Sequence, residues 1–133
     1  MRRLAIDVQP GEYAVAKLAA DAPVPPGLLD KTDPAVLVSI TRTPHELSVI
    51  CPAALAPAAQ EVEDGWRLLT VRGPLAFNLT GIIAALAGEL AAAGVALFSI
   101  STFDTDHVLV RGPELSTAVA ALRASGHEVT LDV

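Results

Sequence analysis

The chain has 133 residues and a net charge of −6 at neutral pH, an acidic balance that would repel a phosphate backbone, and its nine Lys and Arg residues form no stripe, so nucleic acid is not expected as a partner. It is 52% apolar and 18% charged with a mean hydropathy of +0.49, so either the core is large for its size or some surface is covered by a partner, most simply a second copy in a homodimer. One cysteine, Cys51, excludes an intrachain disulfide and a cysteine-rich zinc site.

In chain order, Leu4 to Val8 and Tyr13 to Leu18 alternate and read as two strands or one bent strand pair, with Pro10-Gly11 between them. No secretory signal is expected, because Asp7 and Pro10 interrupt the segment that would be apolar. Pro23, Pro25 and Pro26 end the extended structure, and Leu28-Leu29 fits one helical turn before the polar loop Asp30 to Pro34. Val36 to Thr41 and Glu46 to Cys51 are rich in β-branched residues and lie a hairpin loop apart, across Arg42-Thr43-Pro44-His45. Pro52 to Ala59 allows only a short helix, and its apolar setting makes Cys51 a buried thiol in a reducing compartment. The acidic stretch Gln60 to Gly65 reads as a connector, dividing the chain into residues 1–64 and 65–133.

The second half is more regular. A strand over Trp66 to Arg72 leads through a loop into a helix that ends at Gly94, with Ile83, Leu86 or Ala87, Leu90 and Ala93 on its buried face. Leu79 to Ser101 is nearly apolar but is rich in alanine, carries Glu89 and is divided by Gly94, so no membrane span is expected and the protein reads as cytoplasmic. Val95 to Thr102 and Asp106 to Arg111 form a second hairpin. Pro113-Glu114 opens a second helix, with Leu115, Val119 and Leu122 inward and Gly126 as its stop, and Glu128 to Val133 closes as a strand. The order βαββαβ is that of a ferredoxin-like α+β sandwich with an antiparallel sheet. The first half, with its hairpin and two stunted helices, fits a degenerate copy of the same unit.

Two features of the second half suit a zwitterion. Gly81 at a helix start would let the backbone N–H groups of Gly81 and Ile82 approach a carboxylate, although a glycine there would equally serve close packing of helix on strand. Asn78 or Thr80 would cap that helix whatever the function. Asp104 and Asp106, two apart, would point the same way in an extended segment and attract an ammonium, although aspartates are also common turn formers. Phe103 beside them either packs or walls a pocket. His107 should alternate to the opposite face, which leaves no metal site with the aspartates, and His45 and His127 occupy unremarkable positions. No nucleophile elbow, phosphate loop, dinucleotide fingerprint or zinc signature is present, so no cofactor and no catalytic residue is expected.

Gly65-Trp66-Arg67, Gly73-Pro74-Leu75-Ala76-Phe77, Thr80-Gly81-Ile82, Gly94-Val95 and above all Ser101-Thr102-Phe103-Asp104-Thr105-Asp106 with Leu109-Val110 resemble the tandem ACT-domain proteins. That family includes small bacterial ACT proteins, the regulatory domains of aspartate kinases and the eukaryotic cytosolic arginine sensor of the TOR pathway. Ser39-Ile40-Thr41-Arg42-Thr43-Pro44, with Glu46 and Ser48, is similar to the hairpin in the sensor's first unit. The resemblance implies amino-acid binding without catalysis, at an interface between ACT units. It places ligand contacts on Leu79, Gly81 and Ile82, on Ala96 and Leu97 of a partner unit, and on Phe103, Asp104, Thr105 and Asp106. Two departures stand out. The sensor has an acidic residue in the loop near the position of Leu79, and it carries two pairs of units where this chain has one, so a homodimer would complete the site. The alternative expectation is a structural or interaction module that keeps the ACT fold without a ligand; an enzyme using the two aspartates lacks a second catalytic group.

Overall fold

The computed structural model describes residues 3–30, 36–75 and 81–131. Among them are eight strands, β1 (Ala5–Val8), β2 (Tyr13–Leu18), β3 (Ser39–Arg42), β4 (Leu47–Pro52), β5 (Glu61–Val71), β6 (Leu97–Ser101), β7 (Asp106–Arg111) and β8 (Glu128–Leu131), and two α-helices, α1 (Ile82–Ala92) and α2 (Leu115–Ala124). The fold is α+β, with few helices and a mostly antiparallel mixed sheet. Two compact units divide the chain: residues 11–66, and residues 1–10 together with 67–133.

In the unit of residues 11–66, β2 pairs antiparallel with β4 on one side and with the first residues of β5 on the other, and β3 flanks β4. The expected hairpin is present, with Arg42 opposite Leu47. Its loop is closed by Thr43, whose hydroxyl accepts the N–H groups of His45 at 3.1 Å and Glu46 at 3.2 Å. Arg42 reaches across to donate to the carbonyls of Ala20 and Ala22. Ala16, Leu28, Val49 and Cys51 form a small core, with Leu18, Ile40 and Leu55 against it. The only helical element here with a defined span among the described residues is the 3-10 turn Ala53–Leu55. Cys51 is fully buried, and that burial pushes its thiol pKa up, which keeps it protonated and unreactive.

The sequence was expected to carry a connector over Gln60 to Gly65, yet Glu61 opens β5. Backbone pairing to β2 outweighs the poor strand propensity of Glu61, Glu63 and Asp64, and Lys17 lies opposite Glu61, so their charges match. All three acids stay exposed, which spares them desolvation.

In the other unit the strand order is β6-β7-β5-β1-β8. Of the two readings of the first strands, two separate strands is the one that holds, since Ala5–Val8 does not pair with Tyr13–Leu18. Ala5–Val8 lies antiparallel to β5, with Ile6 opposite Val71, and parallel to β8, with Ile6 opposite Val129. The reason is in its side chains. Ile6 and Val8 enter the core beneath the helices, while Asp7 turns to the other face and meets Arg72 at 2.5 Å.

Both helices cover one face of this sheet. Ile82, Leu86 and Leu90 of α1 and Ala118, Val119 and Leu122 of α2 pack with Leu69, Val71, Val108, Val110 and Val129. The α1 stripe therefore runs from Ile82 at intervals of four, with Ile83 and Ala93 partly buried beside it rather than at its centre. Each fully buried Leu contributes about 1.5–3 kcal/mol. Gly94 and Gly126 stop the two helices as expected, at φ +77° and +96°.

A polar lock is set into this core. His127 and Glu89 have side chains only 1% and 10% exposed, with His127 Nε2 2.7 Å from Glu89 Oε1. His127 Nδ1 accepts the N–H of Leu4 at 3.1 Å, which assigns the ring proton to Nε2, from where it is donated to Glu89. One imidazole thus joins the middle of α1, the turn after α2 and the residue preceding β1. Glu89→Ala would leave the buried Nε2–H unpaired and is expected to cost about 1–3 kcal/mol of unfolding free energy in urea titrations. Glu89→Gln, which retains an acceptor, should cost less.

Candidate functional site

The β6–β7 hairpin pairs Ser101 with Asp106 and Leu97 with Val110. Its turn is closed by the N–H and hydroxyl of Thr102, which donate to the carbonyl of Thr105 at 2.9 and 3.1 Å. This turn sits on the chain that leaves β5. The N–H of Leu75 donates to the carbonyl of Asp104 at 2.6 Å, and the Thr105 hydroxyl donates to the carbonyl of Val71 at 2.5 Å. Gly73 makes the approach possible, since a Cβ there would lie 3.0 Å from both Asp104 O and Thr105 Cβ.

The structure brings the turn together with residues 71–75 of the segment leading to α1. Asn78, Leu79 and Thr80 lie outside the described residues. Gly81 caps α1 in the left-handed region at φ +79°, with no side-chain cap. A Cβ at Gly81 would meet no atom of the described residues within 4 Å, and among them it is backbone conformation, not close packing of helix on strand, that calls for glycine. The position opens on free space among the described residues, and the first-turn N–H groups of α1 carry the positive end of the helix dipole. The Ile82 side chain is buried in the core. Ala96 is exposed, and Leu97 is partly buried against the same core.

The two aspartates differ. Phe103 and Asp104 lie in a bend, so strand alternation does not govern where Asp104 points; its side chain is exposed. Asp106 is half-buried, and its Oδ1 accepts the hydroxyl proton of Ser101 at 2.6 Å. The Phe103 ring is 79% exposed and is not part of the core. Thr105 is committed to Val71 and has a structural role at the junction.

Sequence reasoning weighed His107 only as a metal ligand and Gly73 only as part of the ACT-like pattern, and it gave Thr70 no role. His107 is 7% exposed and its Nδ1 lies 3.0 Å from the Thr70 hydroxyl. A histidine directly before the apolar run Val108-Leu109-Val110 of β7 is the signal that could have marked it. Burial holds its imidazole pKa below the usual range, while the Asp106 carboxylate pulls it back up. Among the described residues, no group of three or more His, Cys, Asp or Glu side chains is placed to hold a metal ion. No helix among them is long and apolar enough to cross a membrane.

The family model described as the ACT domain matches residues 61–124, and a second model, of an N-terminal domain, matches residues 11–58. A crystal structure of a protein from Agobacterium tumefaciens is 35% identical over 100% of this chain and 96% of its own, with a TM-score of 0.86. The chain belongs to the ACT-domain family. Its curated relatives include the cytosolic arginine sensor for mTORC1 subunit 1, 44% identical in Rattus norvegicus and 41% in Homo sapiens over 59 residues, which is 44% of this chain. The match spans 18% of the sensor's length. The ligand-free regulatory subunit of aspartate kinase from Thermus thermophilus has the same ACT fold, with a TM-score of 0.64 at 12% identity over 94% of this chain and 99% of that one.

Two outcomes follow for this ACT chain. Gly81→Ala is expected to destabilise it by about 1–2 kcal/mol in denaturant titrations, the cost of a side chain in the left-handed region. Because the folded chain disfavours the His107 imidazolium, the unfolded chain takes up its proton first as pH falls. Stability is therefore full above about pH 6.5 and declines below it until the folded chain is also protonated. Urea titrations across this range should show that slope in the wild type and a flatter one in His107→Gln.

Proposed function

We propose that this chain is a non-enzymatic, cytoplasmic regulatory protein that binds an amino acid between ACT units of a homodimer. In this reading the chain carries two ACT units, residues 1–64 and 65–133, the first degenerate with short helices, and β1 is lent to the sheet of the second. The ligand carboxylate meets the N–H groups of Gly81 and Ile82, with Asn78, Leu79 and Thr80 in the loop before them. The ligand ammonium meets Asp106, with Asp104, Thr105 and Phe103 around it, and Ala96 and Leu97 come from the partner subunit.

The observation that carries the reading is the docking of the Thr102 to Asp106 turn onto residues 71–75, so that an acidic turn and the segment feeding an open helix start are tied to one another. A peptide dipole and a carboxylate then offer opposite charges to one small zwitterion. Two further features support the dimer. The outward residues of α1 are Ala84, Gly88, Ala91 and Ala92, all exposed, and the helix has a single charge, Glu89, which is turned inward to His127. Next to it in sequence, β6 pairs among the described residues with β7 alone, and it has neither charge nor proline to blunt its other edge. Arginine is the first ligand to test, since the mammalian relative is named an arginine sensor. The alternative, a ligand-free interaction module on the ACT fold, is favoured by one observation: Asp106 already has a hydrogen-bond partner in Ser101.

A thermal-shift screen against the standard amino acids separates the two. A bound ligand at a hundred times its dissociation constant stabilises by about 2.7 kcal/mol. Asp106→Ala should abolish the shift while light scattering still reports a dimer. A flat screen on a folded dimer would leave the interaction module as the reading, and a stable monomer would remove the shared site.

A further inference from the structure

Between α2 and the edge strand β8 lies a groove of about 310 Å³, lined by Leu115, Ser116, Val119, Ala120, Arg123 and Leu131. The α2 residues recur at i, i+1, i+4, i+5 and i+8, so they share one flank of the helix, and Leu131 closes the groove from β8. Its walls are mostly apolar. Leu115 and Val119 form the margin of the core, while Ala120 is exposed and Leu131 is 51% exposed. Arg123 brings a charge, and its Nη2 donates to the Val129 carbonyl at 2.7 Å. Because the Glu128 N–H is donated to Leu4 of the neighbouring chain segment, strand alternation turns the backbone groups of Val129 and Leu131 toward the edge away from β1. Arg123 therefore occupies the edge carbonyl that an added strand would need, and the same bond holds its guanidinium in the groove wall with further N–H donors to spare. No acidic side chain is among the lining residues, and among the described residues Arg123 has no carboxylate partner.

We propose that this groove is a second ligand site, which takes a small apolar carboxylic acid. The hydrocarbon body of the acid lies on Leu115, Val119, Ala120 and Leu131, and its carboxylate meets the remaining N–H groups of Arg123, with the Ser116 hydroxyl and the outward Leu131 N–H as neutral donors beside them. The volume stands at the lower end of small-molecule sites, about 300–1,000 Å³, and suits a branched-chain amino acid stripped of its amino group. An ammonium is what the lining turns away. With no carboxylate to receive it, an amino acid would bring a second positive charge next to the guanidinium. Neither Gly81 nor Asp106 takes part, so the reading of those residues stands or falls separately.

The test uses the full chain with isotope-labelled backbone amides, followed by NMR as 4-methylpentanoate, L-leucine or 4-methylpentanamide is added at about pH 7, where both acids are ionised. 4-Methylpentanoate is expected to move the signals of residues 115–123 and 129–131 to saturation with a dissociation constant on the order of 1 mM, and the other two probes should bind there about tenfold more weakly or worse. Arg123→Gln keeps a donor for Val129 but loses the charge, and should weaken the acid by about tenfold without changing the amide. Ala120→Phe, at an exposed helix position, fills the groove and should abolish the shifts with the fold intact. Signals that never saturate, an amide that binds as well as the acid, or shifts that follow protein concentration rather than added acid, which would assign the groove to a second copy, each overturn the proposal.

Discussion

The contact on which the site depends is between two pieces of backbone: the Leu75 N–H and the Asp104 carbonyl, 2.6 Å apart, closed over Gly73. With the Thr105 hydroxyl on Val71, it fixes the hairpin turn from the end of β5. The position of Asp106, the first residue of β7, is therefore set by a strand in the middle of the sheet, and not by the turn that precedes it alone. A side chain at residue 73 would have to displace main chain, which is the least yielding neighbour a Cβ can meet.

The same unit places its polar groups by the same economy. Glu89 and His127 are buried on the helix side, where each satisfies the other and the spare imidazole nitrogen takes the N–H of Leu4. Asp7 and His107 are buried on the opposite face and are likewise partnered, by Arg72 and Thr70. Removing Glu89 to the interior leaves α1 with an outer surface of alanine and glycine. This is how a helix in an acidic protein comes to show no charge to the outside.

Much of this was legible in the sequence. Helix stops at Gly94 and Gly126, the Pro113-Glu114 start and the two hairpins are local signals, and each element formed where those signals stood. What failed was non-local. Ala5–Val8 alternates like any short strand, and nothing in its residues says that its partners begin more than sixty positions away. Glu61, Glu63 and Asp64 read as connector because acids disfavour strands, and only the waiting edge of β2 reverses that. At the site, Phe103, Asp104 and Asp106 stood out by type. Gly73 stood only as one residue of the ACT-like pattern, with no sign of the main chain packed against it, and His107 was set aside because alternation turned it from the aspartates without revealing its Thr70 partner.

The parallel pairing of β1 with β8 also bears on how the chain acquires its fold. Residues 5–8 find their register against residues 128–131, so that sheet cannot be completed until residue 131 has left the ribosome. Residues 11–66 are contiguous and can close on themselves well before then. Meanwhile β1 has only β5 to pair with, and Ile6 and Val8 stay uncovered until the helices form. Pairing across so great a sequence separation is slow, and this makes the β1–β8 seam a late step in the closure of the sheet.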